Sequence, residues 1–407
     1  MNTLNCDDYS IKNARVRSAI NSLTLVNFRN YRFLRLNLDK PFVVLSGENG
    51  SGKTNILEAV SFLSQGRGLR NARLSEIKTF DFIPPLDSCS FTLQSGWTVS
   101  AQVERDDEKF SIGTSVESHV KESDDNELRE IERRIVQVNS QKLNSQNELG
   151  NFVSLIWVTP QMDRLFLSGA QNRRSFLDRI VYAFDVEHAK RLSAFDNLYR
   201  QWLQVLKSNK PNNQWLSSLE EQMVEYGVAI AAARLEQVNR LNAFMEKNID
   251  DVFPHVYLEL DGTLEQMIAQ KPAVYVEDFY RESLMKQRRN VLYNDTATEV
   301  SKTDLRAYYK QKNMPANLCS TGEQKSLLLS IILSQARCLT AMRGYPPILL
   351  LDEVAAHLDD FKRDAFLEKI SELHTQCWLT TTSPFEFAYI KESAQFFEIK
   401  DNMVHLL

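Results

Sequence analysis

Apolar and polar positions alternate along SLTLVNF and FLRLNL, so residues 22–46 read as strands around a turn. The unbroken apolar run PFVVLS that follows reads as a buried strand. From Asn55 the period changes. Ile56, Leu57, Ala59, Val60 and Leu63 recur at helical spacing. Residues 88–112 again alternate and predict antiparallel strands with a glycine turn. The charge-dense stretch at 118–134 reads as a solvated loop or exposed helix. FVSLIWVTP at 152–160 is another buried strand, stopped by Pro160.

From Asp163 to about Asp251 the helical period dominates. Leu219, Met223, Tyr226, Ile230 and Ala233 step by four and three, as a packed helical seam does. An earlier helix around His188–Lys207 is separated from it by SNKPNN, a strong turn signal. Such a pair would project roughly 30–50 Å at 1.5 Å per residue, a stub rather than a long coiled coil. Strand signal returns at HVYLEL, YPPILLLDE, WLTTT and FFEIKDNMVHLL, so the C-terminal stretch is expected to complete the sheet begun near the N-terminus. The predicted organisation is a loose extension at 1–20, a first lobe at 21–162, a helical lobe at 163–300 and a closing part of the first lobe at 301–407.

Bulk composition narrows the class without choosing a function. A chain of 407 residues implies two lobes, and 43% hydrophobic with 25% charged residues is ordinary for a globular protein. The net charge of −5 gives no global attraction to nucleic acid, so any such binding needs a local basic face. Cys6, Cys89, Cys319, Cys338 and Cys377 form no CxxC pair, and the spacing of His374 and Cys377 is incidental. No apolar stretch is long enough for a membrane span, and the first twenty residues lack a secretory apolar core, so a cytoplasmic location without membrane attachment is expected.

The candidate chemistry starts at Gly47-Glu-Asn-Gly-Ser-Gly-Lys53-Thr54, which places three of the chain's 13 glycines between a strand and a helix. This is the G-x-x-x-x-G-K-[ST] pattern in the context it requires. Its residues Asn49, Gly50, Ser51, Gly52, Lys53, Thr54 and Asn55 are expected to line an ATP phosphate site. Lys53, taken as a surface loop cation, would reach the outer phosphates, and the Thr54 hydroxyl would hold Mg²⁺. The apolar strand before Asp352-Glu353 places Asp352 beside that Mg²⁺, and Glu353 can orient a water and accept its proton. Ser320, Gly322 and Gln324 open a long apolar helix whose N-terminus suits an anion, although Glu323, three residues after Ser320, also fits a capping box.

A P-loop, a Ser-x-Gly-x-Gln helix start, a strand ending in Asp-Glu and then AAHLD at 355–359 resemble the ABC-type ATPase head. The resemblance implies a mixed α/β sheet with an antiparallel β subdomain and an inserted helical lobe bearing a short hairpin. It also implies that Ser320 and Gly322 touch ATP bound to a second copy, so that two heads dimerise around nucleotide. The long interval between Lys53 and Ser320, without a CxxC hook, is similar to the structural-maintenance and Rad50-like branch. Within it, LVNFRNYRFLRL, WVTPQMDRLFLSGAQNRRSFLDRIV and LLLDEVAAHLD look like the RecF family of bacterial DNA replication and repair ATPases. That likeness implies weak DNA-stimulated ATP hydrolysis and work at gaps with RecO and RecR, to load RecA. It further implies that Gln161 acts as a Q-loop residue sensing the γ-phosphate and the metal, and that Arg29 lies near the adenine. A switch histidine is missing from WLTTTS at 378–383, and which Thr or Ser replaces it stays open. Arg67, Arg70, Arg73, Arg173, Arg174 and Arg179 are the candidates for phosphate contacts on duplex DNA or duplex–single-strand junctions. A transporter-associated ATPase subunit would need a smaller helical lobe and the switch histidine. A nuclease-associated ATPase would show a long hooked arm or a fused nuclease.

Overall fold

The computed structural model describes residues 17–79, 96–122, 128–208, 210–248, 252–290, 298–354 and 358–407. The chain divides into two compact units, one formed by Met1–Pro160 with Leu339–Leu407 and the other by Gln161–Cys338. The extension up to residue 16, Cys6, Cys89, most of the first strand expected at 88–112, and Ala355, Ala356 and His357 lie outside the described residues.

The first unit carries two six-stranded sheets. In the central one the strands Leu155–Val158, Phe42–Ser46, Ile348–Leu351 and Cys377–Thr381 are buried at every position. Continuous apolar runs are what strands covered on both faces require. The order is Met403–Leu406, Ala394–Lys400, Phe42–Ser46, Cys377–Thr381, Ile348–Leu351, Leu155–Val158, parallel except for the C-terminal hairpin. One strand, Cys377–Thr381, therefore separates the strand that enters the glycine loop from the strand that ends at Asp352. HVYLEL departs from the expectation. As Val256–Asp261 it belongs to a three-stranded sheet of the second unit, paired with Asp304–Tyr309, a strand that the sequence pattern did not reveal.

The second sheet is antiparallel and begins at Ser18, three residues before the expected start of the ordered chain. It also corrects the reading of 118–134. The described residues of that run, 118–122 and 128–134, are strand and belong to a long antiparallel pair, Glu108–Glu122 against Leu128–Val138. Ile112, Thr114, Val116, Val136 and Val138 are buried at its base. They fix the register there, and the backbone ladder then propagates whatever the side-chain charge. The helix Lys53–Ser61 packs into the same core. Beneath its C-terminal end Phe28, Phe62 and Trp97 meet edge to face, with centroids 5.1–6.0 Å apart.

The second unit is mainly helical. His188–Leu206 and Asn213–Lys247 form the hairpin, and the Asn212 side chain caps the longer helix by accepting from Gln214 and Trp215 N–H. Leu219, Met223 and Ile230 are buried along the seam, while Tyr226 and Ala233 are only partly covered. The unit continues past residue 300 through Asp304–Tyr309 and most of the helix Thr321–Arg343.

Its interior holds a buried ion pair. The Arg234 guanidinium donates to both Asp178 oxygens at 2.8 and 2.9 Å, and His188 Nε2 lies 3.0 Å from Asp178. Burial pushes the Asp178 carboxyl up, but Arg234 and His188 outweigh it and hold it below its usual range. A depressed carboxyl contributes stability above the ordinary aspartate range and loses it as pH falls through the lowered value. Asp178→Ala should therefore cost about 3–5 kcal/mol at neutral pH, because it strands a buried guanidinium. Asp178→Leu combined with Arg234→Met should cost less than Asp178→Ala alone. Urea unfolding of the variants at pH 7 and pH 4 checks both statements.

Candidate nucleotide site and signature helix

The glycine loop has backbone geometry that side chains do not tolerate. Gly52 has φ of 110°, and a Cβ there would sit 2.4 Å from Asn30 Nδ2 and 2.7 Å from Tyr31 Oη. Only glycine fits such a position. The backbone N–H groups of Gly50, Gly52, Lys53 and Thr54 donate to no backbone carbonyl among the described residues. They form the open end of the helix Lys53–Ser61, a ready-made anion site. Asn49 and Gly50 are exposed on the outer rim, while Ser51 Oγ is buried with no hydrogen-bond partner.

Lys53 corrects an expectation. It is not a surface cation but 4% exposed, and its Nζ donates to the Gly47 and Glu48 carbonyls at 2.6 and 2.7 Å. The loop folds over its own lysine. Burial pulls the Lys53 pKa down, and Glu353 and Asp352 pull it back.

Asp352 is buried at the end of its strand and fixed from two directions. Its Oδ1 accepts from Thr54 Oγ1 at 3.0 Å and from Thr380 Oγ1 at 2.7 Å. Burial raises its pKa, and the bonds from Thr380 and Thr54 oppose that shift. Thr380 stands on the strand between, and its hydroxyl also accepts the Glu353 N–H at 2.8 Å. Glu353 itself has φ of 52°, a left-handed conformation that costs a non-glycine residue energy and is characteristic of functional sites. Thr54 and Asp352 thus present two oxygen donors at one point, the chemistry that suits Mg²⁺. Thr380 was one of four residues left open by the sequence. Thr381 is occupied elsewhere, donating to Glu386 at 2.7 Å.

Beside the loop, a buried carboxylate organises the cations. Glu58, fully buried in the helix Lys53–Ser61, accepts from Arg29 Nε and Nη2 at 2.9 and 2.7 Å and from Arg70 Nη1 at 3.0 Å. Arg29, expected near the adenine, therefore has its guanidinium engaged by Glu58 and the Glu76 carbonyl. Arg70 also donates to Asn55 Oδ1 at 2.7 Å, and Asn55 Nδ2 donates to Asn30. Glu58 was missed in the sequence, although an acid flanked by Ile56, Leu57, Ala59 and Val60 was a signal that it needed a buried partner.

In the second unit, Ser320 is exposed at the start of the helix Thr321–Arg343 and takes part in a capping box. Its N–H and Oγ each donate to Glu323 at 2.8 Å. The Lys312 side chain pairs with Glu323, and with Ser320 it holds that carboxyl down at about 2. Gly322 faces open space, with nothing within 4 Å of where a Cβ would stand, so packing within the chain does not require a glycine there. Gln324, expected to face nucleotide, points inward instead. It is 3% exposed and its amide donates to the Cys319 carbonyl at 2.8 Å. Gln161 is exposed in the short helical segment Pro160–Leu167.

The candidate DNA arginines divide sharply. Arg173 clamps Asp304 with two bonds of 2.7 Å, and Arg174 donates to the Thr303 carbonyl at 2.9 Å. Arg179 lies over the Phe176 ring and contacts Met162 Sδ. All three fasten the helix Ala170–Phe184 within its own unit. Arg67 and Arg73, by contrast, are exposed and line one groove.

Comparison with known proteins gives this geometry a context. Residues 19–403 match the model of the RecF/RecN/SMC N terminal domain. The DNA replication and repair protein RecF of Allorhizobium ampelinum is 38% identical over 96% of this chain and 99% of its own length. The corresponding protein of Brucella suis is 38% identical over 94% and 95%. The recombination mediator protein RecF-ATPrS in the RecFOR pathway has a solved structure that superposes with a TM-score of 0.79 at 21% identity, covering 97% of this chain and 99% of that one. The RecF-ATP structure of the same pathway gives 0.73 at 23% identity, covering 96% and 100%. With an ABC-type ATPase head built on a P-loop and an Asp-Glu strand end, the chain belongs to the RecF family of DNA replication and repair proteins.

Proposed function

We propose that this protein is a DNA-binding ATPase of recombinational repair and replication-fork maintenance, whose heads dimerise on ATP and separate after hydrolysis. The observation that carries this reading is the meeting of Thr54, Thr380 and Asp352 beside a glycine loop with open N–H groups. The names of its relatives, which refer to DNA replication, repair and an ATP complex, support the same assignment.

The open N–H groups of Gly50, Gly52, Lys53 and Thr54 bind the ATP phosphates, and the buried Ser51 hydroxyl gains a partner there. Lys53 exchanges one of its carbonyl contacts for a phosphate oxygen. Thr54 and Asp352 would hold Mg²⁺, which would supply charge neutralisation during phosphoryl transfer. Glu353, oriented by its bond to Thr380, takes the proton of a water as the oxygen attacks the γ-phosphorus and the bond to ADP breaks. Ser320 and Gly322 meet the γ-phosphate of a second copy. The free space around Gly322 supports this reading, because a glycine unneeded by its own chain fits close approach by another molecule. Gln161 reports the state of that phosphate to the helical unit. DNA is held through its backbone rather than its bases. With RecO and RecR, the protein prepares gapped DNA for RecA.

Glu353→Gln should keep ATP bound while hydrolysis falls by about a hundredfold or more, read by nucleotide binding and phosphate release. Hydrolysis at the parental rate would remove Glu353 as the base. Lys53→Ala should weaken ATP binding at least tenfold. It should also lower the thermal midpoint slightly, since the Gly47 and Glu48 carbonyls lose their buried donor.

Ser320→Arg should bind ATP with parental affinity, remain monomeric in sedimentation and hydrolyse poorly. Mixing it with Lys53→Ala chains should restore at most one working site per dimer. Normal hydrolysis by Ser320→Arg alone would show that each head is self-contained.

A further inference from the structure

Several arginines are claimed by carboxylates, and three exposed ones that are not share one groove. Arg29, Arg70, Arg105, Arg173, Arg234 and Arg288 each pair with an acid. Arg67, Arg73 and Arg133 are exposed and have no ion pair among the described residues. All three line a groove of about 760 Å³ in the first unit. Arg67 and Arg73 come from the loop after the helix Lys53–Ser61, and Arg133 from the strand Leu128–Val138.

The groove has a built floor. Arg134 Nη1 donates to the Gly66 carbonyl at 2.6 Å and to Gln146 Oε1 at 3.2 Å, and Nε to Thr114 Oγ1 at 2.8 Å. Its Nη2 reaches the Phe62 and Ser64 carbonyls, and the guanidinium lies over the Phe62 ring. Burial lowers the Arg134 pKa to about 9, so it stays charged at neutral pH. Arg134 thus ties the loop to the hairpin and sets the spacing of the walls. The one carboxylate of the lining is Glu132. The loop is also tied to the nucleotide site, through Arg70 on Asn55 and Glu58.

We propose that this groove binds the sugar–phosphate backbone of duplex DNA, with Arg67 and Arg73 on one wall and Arg133 on the other contacting phosphates over the Arg134 floor. The proposal rests on the DNA-binding reading above and locates it. The lining chemistry selects a backbone rather than bases or a protein partner. Its aromatic residue, Phe62, is fully buried and Leu74 is half-buried, so among the described residues the groove offers no ring for base stacking, and the exposed side chains of its lining are those of Arg67, Arg73, Ser75 and Arg133. What remains is point charge in a channel, the sequence-independent phosphate term.

The test is duplex binding by the full chain, with ATP present, across a salt series. Arg67→Glu, Arg73→Glu and Arg133→Glu should each weaken binding roughly tenfold and lower the slope of log affinity against log salt by about 0.9. Arg133→Lys should keep the parental slope, and Arg289→Glu, an exposed arginine of the second unit, should change nothing. ATP affinity and thermal midpoint, unchanged in all variants, verify folding. Parental-like slopes in the three groove variants overturn the groove while DNA binding itself stands. A parental protein that binds no duplex at low salt overturns both. If the groove variants lose affinity for polyglutamate but not for duplex, the occupant is an acidic protein and the proposal is wrong.

Discussion

The double hydrogen bond to Asp352 Oδ1, from Thr54 and from Thr380, is the contact on which the nucleotide site depends. Thr54 and Asp352 are far apart in sequence and come from different strand–loop units. They meet because the strand Cys377–Thr381 lies between Phe42–Ser46 and Ile348–Leu351, all parallel, so that the three C-terminal ends open on one edge. The carboxylate pays for this position in desolvation, which raises its pKa. Two hydroxyl donors reduce that cost, and a divalent cation bound at the same oxygens would remove it. The same Thr380 oxygen fixes the Glu353 backbone in its left-handed turn, so metal-binding and base positions are set by one side chain.

A second buried acid extends the arrangement sideways. Glu58 occupies the helix that starts at the phosphate loop and accepts from two arginines, Arg29 and Arg70. Through Arg70 and Asn55 the first turn of that helix is connected to the loop carrying Arg67 and Arg73. A phosphate arriving at Thr54 and Asn55 therefore acts on the same short helix that supports one wall of the basic groove.

Much of this was legible in the sequence, and the part that was not shares a cause. The glycine loop, the Asp352-Glu353 strand end and the helix start at Ser320 are local patterns, in which spacing alone fixes geometry. Side-chain allegiance is tertiary. Nothing near Arg173 in sequence announces Asp304, and nothing near Arg29 announces Glu58. Lys53 reads as a loop cation until the loop closes over it. Gln324 reads as displayed until its amide is seen to cap the Cys319 carbonyl. The strand pair at 118–122 and 128–134 was hidden because charge density suggests solvent, whereas a ladder begun by Ile112, Val136 and Val138 needs only backbone to continue.

The central claim is that Asp352 and Thr54 make one metal–nucleotide site, and a Mn²⁺ titration followed by electron paramagnetic resonance tests it most directly. With ATP present, the parental protein should show one tight Mn²⁺ site per chain. Asp352→Asn should bind ATP in the absence of metal with nearly parental affinity, yet weaken that Mn²⁺ site at least tenfold. Equal Mn²⁺ affinity in the two proteins would contradict the account.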